Sequence, residues 1–266
     1  MNGSATSAKN CSAIGALPQP VLIVDALGLH YVDSTHTEIA VPTLQELAKM
    51  FDHSLLQPTL SDVELERGLL LARGYDVASV CIKPYAVKFA AKLLAGSTVQ
   101  ASTTIGFPHG GHTTAVKVYE SEVALADGAT ELDMVVNIGK VLSGEWNAVA
   151  SDIAAVVRVA HAAQAKVKVI FENAFLQDAH KIELCKICGD VRADWVKTST
   201  GYAETGATID DLKLMRQHSP AHVQVKAAGG VRTYEKLLEV YAIGVSRVGA
   251  TATKAILDEA KAKLGG

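Results

Sequence analysis

The sequence predicts a single (β/α)8 barrel, and three observations predict it. Eight short β-prone runs follow one another between residues 51 and 250. Segments of helical spacing separate them, so one strand and one helix recur about every 30 residues, the size of a βαβ repeat. No G-x-G-x-x-G follows the first run, which disfavours the runner-up, an open doubly wound sheet. At 266 residues the chain suits one barrel without a second domain. The expected division is a loosely ordered N-terminal extension over residues 1–42 and a barrel domain over residues 43–266.

Residues 1–42 open with small polar residues (NGSATSAKN) and carry no sustained period. From Pro42, PTLQELAKM reads as a short leading helix. The eight runs are FDHSLL (51–56), ASVCI (78–82), TVQASTTIGF (98–107), TELDMVVNI (130–138), KVKVIFE (166–172), ADWVKTS (193–199), VQVKAAG (223–229) and SRVGA (246–250). Ser61 and Glu64 fit a capping box that opens a helix with Leu65 and Leu69 on one face. Val116, Tyr119 and Val123 mark another helix, and Ile153, Val156, Val157 and Ala160 give a third its i, i+3, i+4, i+7 stripe. LQDAHKIELCKIC reads as an amphipathic helix, and a last helix runs from about Thr251 to Lys263.

Hydrophobic residues make up 49% of the chain but aromatics only 5%, so the core is expected to be aliphatic. A net charge of −3 and the lack of a basic stripe argue against nucleic acid as a partner. PVLIVDALGL is interrupted by Asp25 and too short to cross a bilayer, and no cationic stretch precedes it, so it reads as neither membrane span nor signal peptide. The four cysteines, Cys11, Cys81, Cys185 and Cys188, form no dense framework, and a reducing, cytoplasmic setting is the simpler reading. Cys185 and Cys188 lie within a helix with no second Cys/His pair, which favours buried, inert thiols over a zinc or redox site.

Two lysines carry the chemistry. WVKTSTGY places Lys197, and VKAAGGVR places Lys226, at the ends of the sixth and seventh runs. In this architecture strand carboxyl ends face the active site, so both ammonium groups share one mouth with Asp133 of the fourth run, Glu172 at the end of the fifth and Asp52 of the first. One such lysine alone reads best as a side chain snorkelling to water. Two on neighbouring strands, with a carboxylate on a third, point to an amine held neutral by burial and by its neighbour. A neutral amine adds to carbonyls to give a Schiff base, an electron sink for making or breaking a C–C bond. Asp133 is placed to move the protons this requires. Glu172 has a plainer reading, an ion pair with Lys168 or with one of the two central lysines.

Gly229-Gly230 after the seventh run and Gly249 before the last helix fall where such barrels hold phosphate, with Arg232 and Thr251 as further donors. A Gly-Gly alone is more often a turn; glycines in both loops are the stronger sign. Pattern alone therefore reaches an imine-forming enzyme acting on a phosphorylated carbonyl compound.

FDHSLLQP, SVCIKP, TIGFPHG, ELDMVVNIG, VKTSTGY, VKAAGGVR and RVGAT, in this order, resemble the deoxyribose-phosphate aldolase family from about Leu47 onwards. The resemblance implies a class I aldolase that interconverts 2-deoxy-D-ribose 5-phosphate with D-glyceraldehyde 3-phosphate and acetaldehyde in deoxynucleoside breakdown, with no cofactor and no metal. It implies Lys197 as the imine-forming lysine and Lys226 as the neighbour that lowers its pKa. Asp133 becomes the proton donor and acceptor, working with an ordered water, and Asp52 the partner of Lys226. Gly201, Gly229, Gly230, Val231, Arg232, Gly249 and Thr251 fall at its phosphate positions, and Thr200 beside the sugar hydroxyls. Cys81 lies near the pocket with no catalytic step.

The chain departs from the family in places. Tyr202 stands where some members carry a lysine, Ala252 where many have a second hydroxyl, and Asn173 where threonine is common. The sequence ends AKLGG, so a tail-assisted proton step is not expected. The expected partners are small phosphosugars and aldehydes, with a homodimer as the working assembly. The alternatives are another imine-forming phosphosugar aldolase or a transaldolase, and a catalytically silent scaffold barrel. Metal-dependent aldol chemistry finds no ordered ligand set; His53 and His109, nearest the mouth among nine histidines, read as loop or hydrogen-bonding residues.

Overall fold

A computed structural model of the protein describes residues 21–25, 28–32, 38–39 and 42–265. The chain divides into two compact units at residue 41. In the first, β1 (Val21–Asp25), β2 (Gly28–Val32) and β3 (Glu38–Ile39) pair antiparallel in that order. No strand was expected there. The remainder of the extension, with Cys11, lies outside the described residues.

The second unit is the expected closed barrel. Its eight strands are β4 (Phe51–Leu55), β5 (Ser79–Ile82), β6 (Gln100–Ile105), β7 (Glu131–Val135), β8 (Lys166–Ile170), β9 (Trp195–Lys197), β10 (Gln224–Ala228) and β11 (Arg247–Ala250). All pair parallel, and β11 closes on β4. Each strand lies inside the run predicted for it. Around them run α1 (Leu44–Ala48), α2 (Asp62–Gly74), α3 (Val87–Leu94), α4 (Thr114–Ala126), α5 (Ile138–Leu142), α6 (Trp146–Ala162), α7 (Asp178–Asp190), α8 (Ile209–His218), α9 (Tyr234–Ala242) and α10 (Thr253–Leu264). None of these is long and apolar enough to cross a membrane.

The layer between strands and helices is aliphatic, as composition predicts. Leu65 and Leu69 of α2 and Ile153, Val156, Val157 and Ala160 of α6 are buried there. The backbone N–H and hydroxyl of Ser61 both donate to Glu64 at 2.7 Å, starting α2 as the capping pattern requires. Cys185 and Cys188 are free and buried in α7. Burial pushes both thiols up, Cys185 to about 11, so they are held protonated.

One face is inverted. α4 exists where Val116, Tyr119 and Val123 mark it, yet those residues are 48%, 68% and 44% exposed, while Lys117, Ser121 and Ala124 are buried. The reason is a satisfied cation: Lys117 Nζ donates to Asp152 of α6 at 2.5 Å and to the Val135 carbonyl at 2.8 Å. With its charge paired and its protons bonded, the polar face can turn inwards.

Candidate active site

Alternate residues of a parallel barrel strand point to the barrel axis, so register decides which side chains meet. Lys197 is the last residue of β9 and pairs in register with Lys226 of β10; Asp133 of β7 pairs with Lys168 of β8, and Asp52 of β4 with Gly249 of β11. The result is one buried ionic cluster. Lys197 and Lys226 each donate to Oδ2 of Asp133 at 2.8 Å. Lys226 also donates to Oδ2 of Asp52 at 2.5 Å, the pairing expected for it. Oδ1 of Asp133 accepts from Lys168 at 2.9 Å and from the Ser102 hydroxyl at 3.2 Å.

Beneath these lies a second tier that the sequence reading missed. Lys168 donates to Glu131 at 2.5 Å and lies 3.3 Å from Asp52. Arg247 donates to Asp52 at 2.6 Å and to Glu131 at 3.0 Å. The Trp195 ring lies 5.0 Å from the Arg247 guanidinium and 5.7 Å from the Lys168 ammonium. The available signal was alternation: Glu131 shares a strand face with Asp133, and Lys168 lies in register beside Asp133.

The cluster separates the two lysines electrostatically. Burial is the main cause holding Lys197 below the ordinary lysine value; Asp133 opposes it, and the Lys226 charge adds to it. Burial acts on Lys226 in the same sense, but Asp133 and Asp52 outweigh it and hold that ammonium above the ordinary value. Asp133 is likewise buried, yet Lys168, Lys197 and Lys226 keep it well below the carboxylate range. The carboxylates of Asp52, Glu131 and Asp133 thus share Lys168, Lys226 and Arg247, with Lys197 on Asp133 as well.

Above the cluster opens a cavity of about 650 Å³. Asp52, Lys197 and Lys226 line it, as do Thr200, Gly201, Gly229, Gly230, Val231, Arg232, Gly249 and Thr251. Asp133 does not; it is fully buried one layer below. Gly229 and Gly230 turn at φ 74° and 86°, and a Cβ on Gly230 would stand 3.0 Å from the Ala207 carbonyl. Tyr202 and Ala252 line the same end. His53 and His109 are not among the lining residues; buried His53 bonds Thr253 through Nδ1 at 2.9 Å, and burial lowers its pKa to about 4.

Glu172 corrects the ion-pair expectation. It bonds neither Lys168 nor a central lysine; instead it accepts from the Thr200 backbone N–H at 3.2 Å and from the Thr200 hydroxyl.

Residues 52–255 match the sequence profile of the DeoC/LacD family aldolases. A deoxyribose-phosphate aldolase of Rhodopirellula baltica is 60% identical over 220 residues, 83% of this chain and 91% of that protein. The chain belongs to the DeoC/LacD aldolase family. A Coccidioides immitis structure, titled a candidate deoxyribose-phosphate aldolase, matches with TM-score 0.80 at 33% identity over 84% of this chain and 88% of that one. The tetrameric deoxyribose phosphate aldolase of Aeropyrum pernix matches with TM-score 0.77 at 28% identity, over 82% and 92%. In this DeoC/LacD aldolase the family profile starts at Asp52 and ends after α10 begins, so it spans the whole ionic cluster and the cavity above it.

Proposed function

We propose that the protein is a deoxyribose-phosphate aldolase, which reversibly cleaves 2-deoxy-D-ribose 5-phosphate to D-glyceraldehyde 3-phosphate and acetaldehyde through a Schiff base on Lys197. The observation that carries this reading is the pair of buried lysines meeting on one oxygen of Asp133, each at 2.8 Å. The neutral Lys197 amine adds to the C1 aldehyde of the open-chain sugar and loses water to give an iminium. A base takes the proton of the C3 hydroxyl, the C2–C3 electron pair moves into the iminium, and glyceraldehyde 3-phosphate leaves. The enamine left on Lys197 is protonated at C2, and water releases acetaldehyde and the free amine. Asp133 and the Lys226 ammonium supply and remove these protons, and Asp52 holds Lys226 in place.

The glycine turns at Gly201 and at Gly229-Gly230, with Val231, Arg232, Gly249 and Thr251, receive the 5-phosphate through backbone N–H groups and the guanidinium. Tyr202 brings no charge to that end. The buried free cysteines support a reducing, cytoplasmic setting. The exposed apolar residues of α4 support assembly as a homodimer. Borohydride reduction in the presence of acetaldehyde is expected to leave a stable two-carbon adduct on Lys197, located by peptide mass. An adduct on another lysine, or none, overturns the mechanism.

A further inference from the structure

The mouth of the barrel holds a carboxylate that the aldol chemistry leaves unused. Glu172 follows β8, is 2% exposed, and takes a left-handed backbone at φ 60° and ψ 66°. Left-handed backbone is costly for a residue with a Cβ, and a buried carboxylate is costly unless donors satisfy it. All of its side-chain hydrogen bonds among the described residues go to Thr200: the backbone N–H lies 3.2 and 3.3 Å from its two oxygens, and the hydroxyl donates to Oε2.

The contacts continue across the mouth. The Thr200 hydroxyl oxygen accepts the N–H of Tyr202 at 3.0 Å. The Tyr202 phenol donates to the Leu56 carbonyl at 2.9 Å, and its ring meets Phe107 edge-on at 5.5 Å. Glu172, Thr200, Tyr202 and Leu56 therefore tie the loops after β8, β9 and β4 into one line, with Gly201 between its two central members.

A threonine hydroxyl has one proton, and here Glu172 takes it. The Thr200 and Tyr202 N–H groups are also bonded within the line. The N–H of Gly201 has no protein partner among the described residues. We propose that Glu172 is a positioning residue: through Thr200 and Tyr202 it fixes the loop after β9 so that Gly201 receives the substrate phosphate. The proposal rests on the aldolase reading of the cavity.

The test compares wild type with Glu172→Gln, Thr200→Val and the double variant. The readouts are the dissociation constant of inorganic phosphate by calorimetry, and kcat and KM on 2-deoxyribose 5-phosphate and on unphosphorylated 2-deoxyribose. Glutamine keeps the shape but cannot offer two acceptor oxygens. Glu172→Gln is expected to weaken phosphate about tenfold and to raise KM for the phosphosugar to match, with kcat and the unphosphorylated reaction held within about twofold. The double variant should bind phosphate no worse than the weaker single variant, because both changes break one link. Equal losses on both sugars, or additive losses of phosphate affinity, overturn the proposal. Should Glu172→Gln fold poorly, Thr200→Val removes the bridging proton without touching the carboxylate, and its phosphate affinity decides alone. If wild type releases no acetaldehyde while Glu172→Gln still loses phosphate affinity, the aldolase reading falls and the positioning role stands.

Discussion

A lysine reacts with an aldehyde only as the free amine, and under the proposed mechanism Lys197 owes that form first to burial and then to where the surrounding charges sit. Asp133 attracts the proton that burial and Lys226 repel, so the balance depends on Asp133 being shared. Its Oδ2 serves both lysines, and Lys168 occupies its Oδ1. Lys226→Leu would leave Asp133 Oδ2 to Lys197 alone and remove the neighbouring cation. Both changes favour the protonated amine. The acid limb of the pH–rate profile should move to higher pH, and turnover at neutral pH should fall by about a hundredfold or more, as expected when a proton-transfer group is also lost. A profile that kept its acid limb in place would remove Lys226 from this role. Lys197, Lys226 and Asp133 were legible in the sequence because each sits in a short strand with a distinctive neighbourhood. Glu172 was legible as an acid at the end of the fifth predicted run but not in its partner, because a left-handed turn carries its side chain to Thr200 rather than to a lysine.

The barrel strands were the elements easiest to read, since each predicted run contains the observed one, whereas β1–β3 were not expected. Faces were harder. Every strand of a closed parallel barrel is buried on both sides, so hydropathy does not tell the axis from the helix layer. Glu131 and Arg247 were missed for that reason, Lys168 was read only as a partner for Glu172, and the aliphatic expectation holds for the outer layer while the axis is ionic. On α4 the apolar stripe was real but lay outside, because the Lys117–Asp152 pair made the polar face buriable. Loop chemistry was legible at Gly229-Gly230, where positive φ excludes most side chains. Gly230→Ala would place a Cβ 3.0 Å from the Ala207 carbonyl at φ 86°. That strain, about 1–2 kcal/mol, falls on the loop after β10. The expected result is a severalfold rise in KM for the phosphosugar with an unchanged yield of borohydride adduct from acetaldehyde, which needs no phosphate. A fall in adduct yield would show that the loop also shapes the amine.

At the scale of the molecule, eight strand–helix units implied closure, and closure is what forces β11 against β4 and packs α10 behind that seam. His53 sits at the seam, buried, with Nδ1 on the Thr253 hydroxyl at 2.9 Å. Burial lowers its pKa from 6.5 to about 4, so the folded protein keeps the ring neutral while the unfolded chain protonates it. Where the unfolded state binds more protons, stability rises with pH. The sign is therefore fixed: the contribution of a neutral His53 is complete above pH 6.5 and is lost as pH falls towards 4. At about 1.4 kcal/mol per pH unit the loss reaches about 3 kcal/mol by the lower end. Asp52 and Asp133, both held below the ordinary carboxylate value, act in a different window: their stabilisation is present above their ordinary pKa and disappears only in stronger acid. Chemical denaturation at steps between pH 7.5 and 4.5 should show stability falling through this range in wild type. His53→Asn keeps a group that can bond Thr253 but cannot take a proton, and its stability should be lower at pH 7.5 and nearly flat down to 4.5. An equal slope in both proteins would mean that the seam is not where acid first opens the barrel.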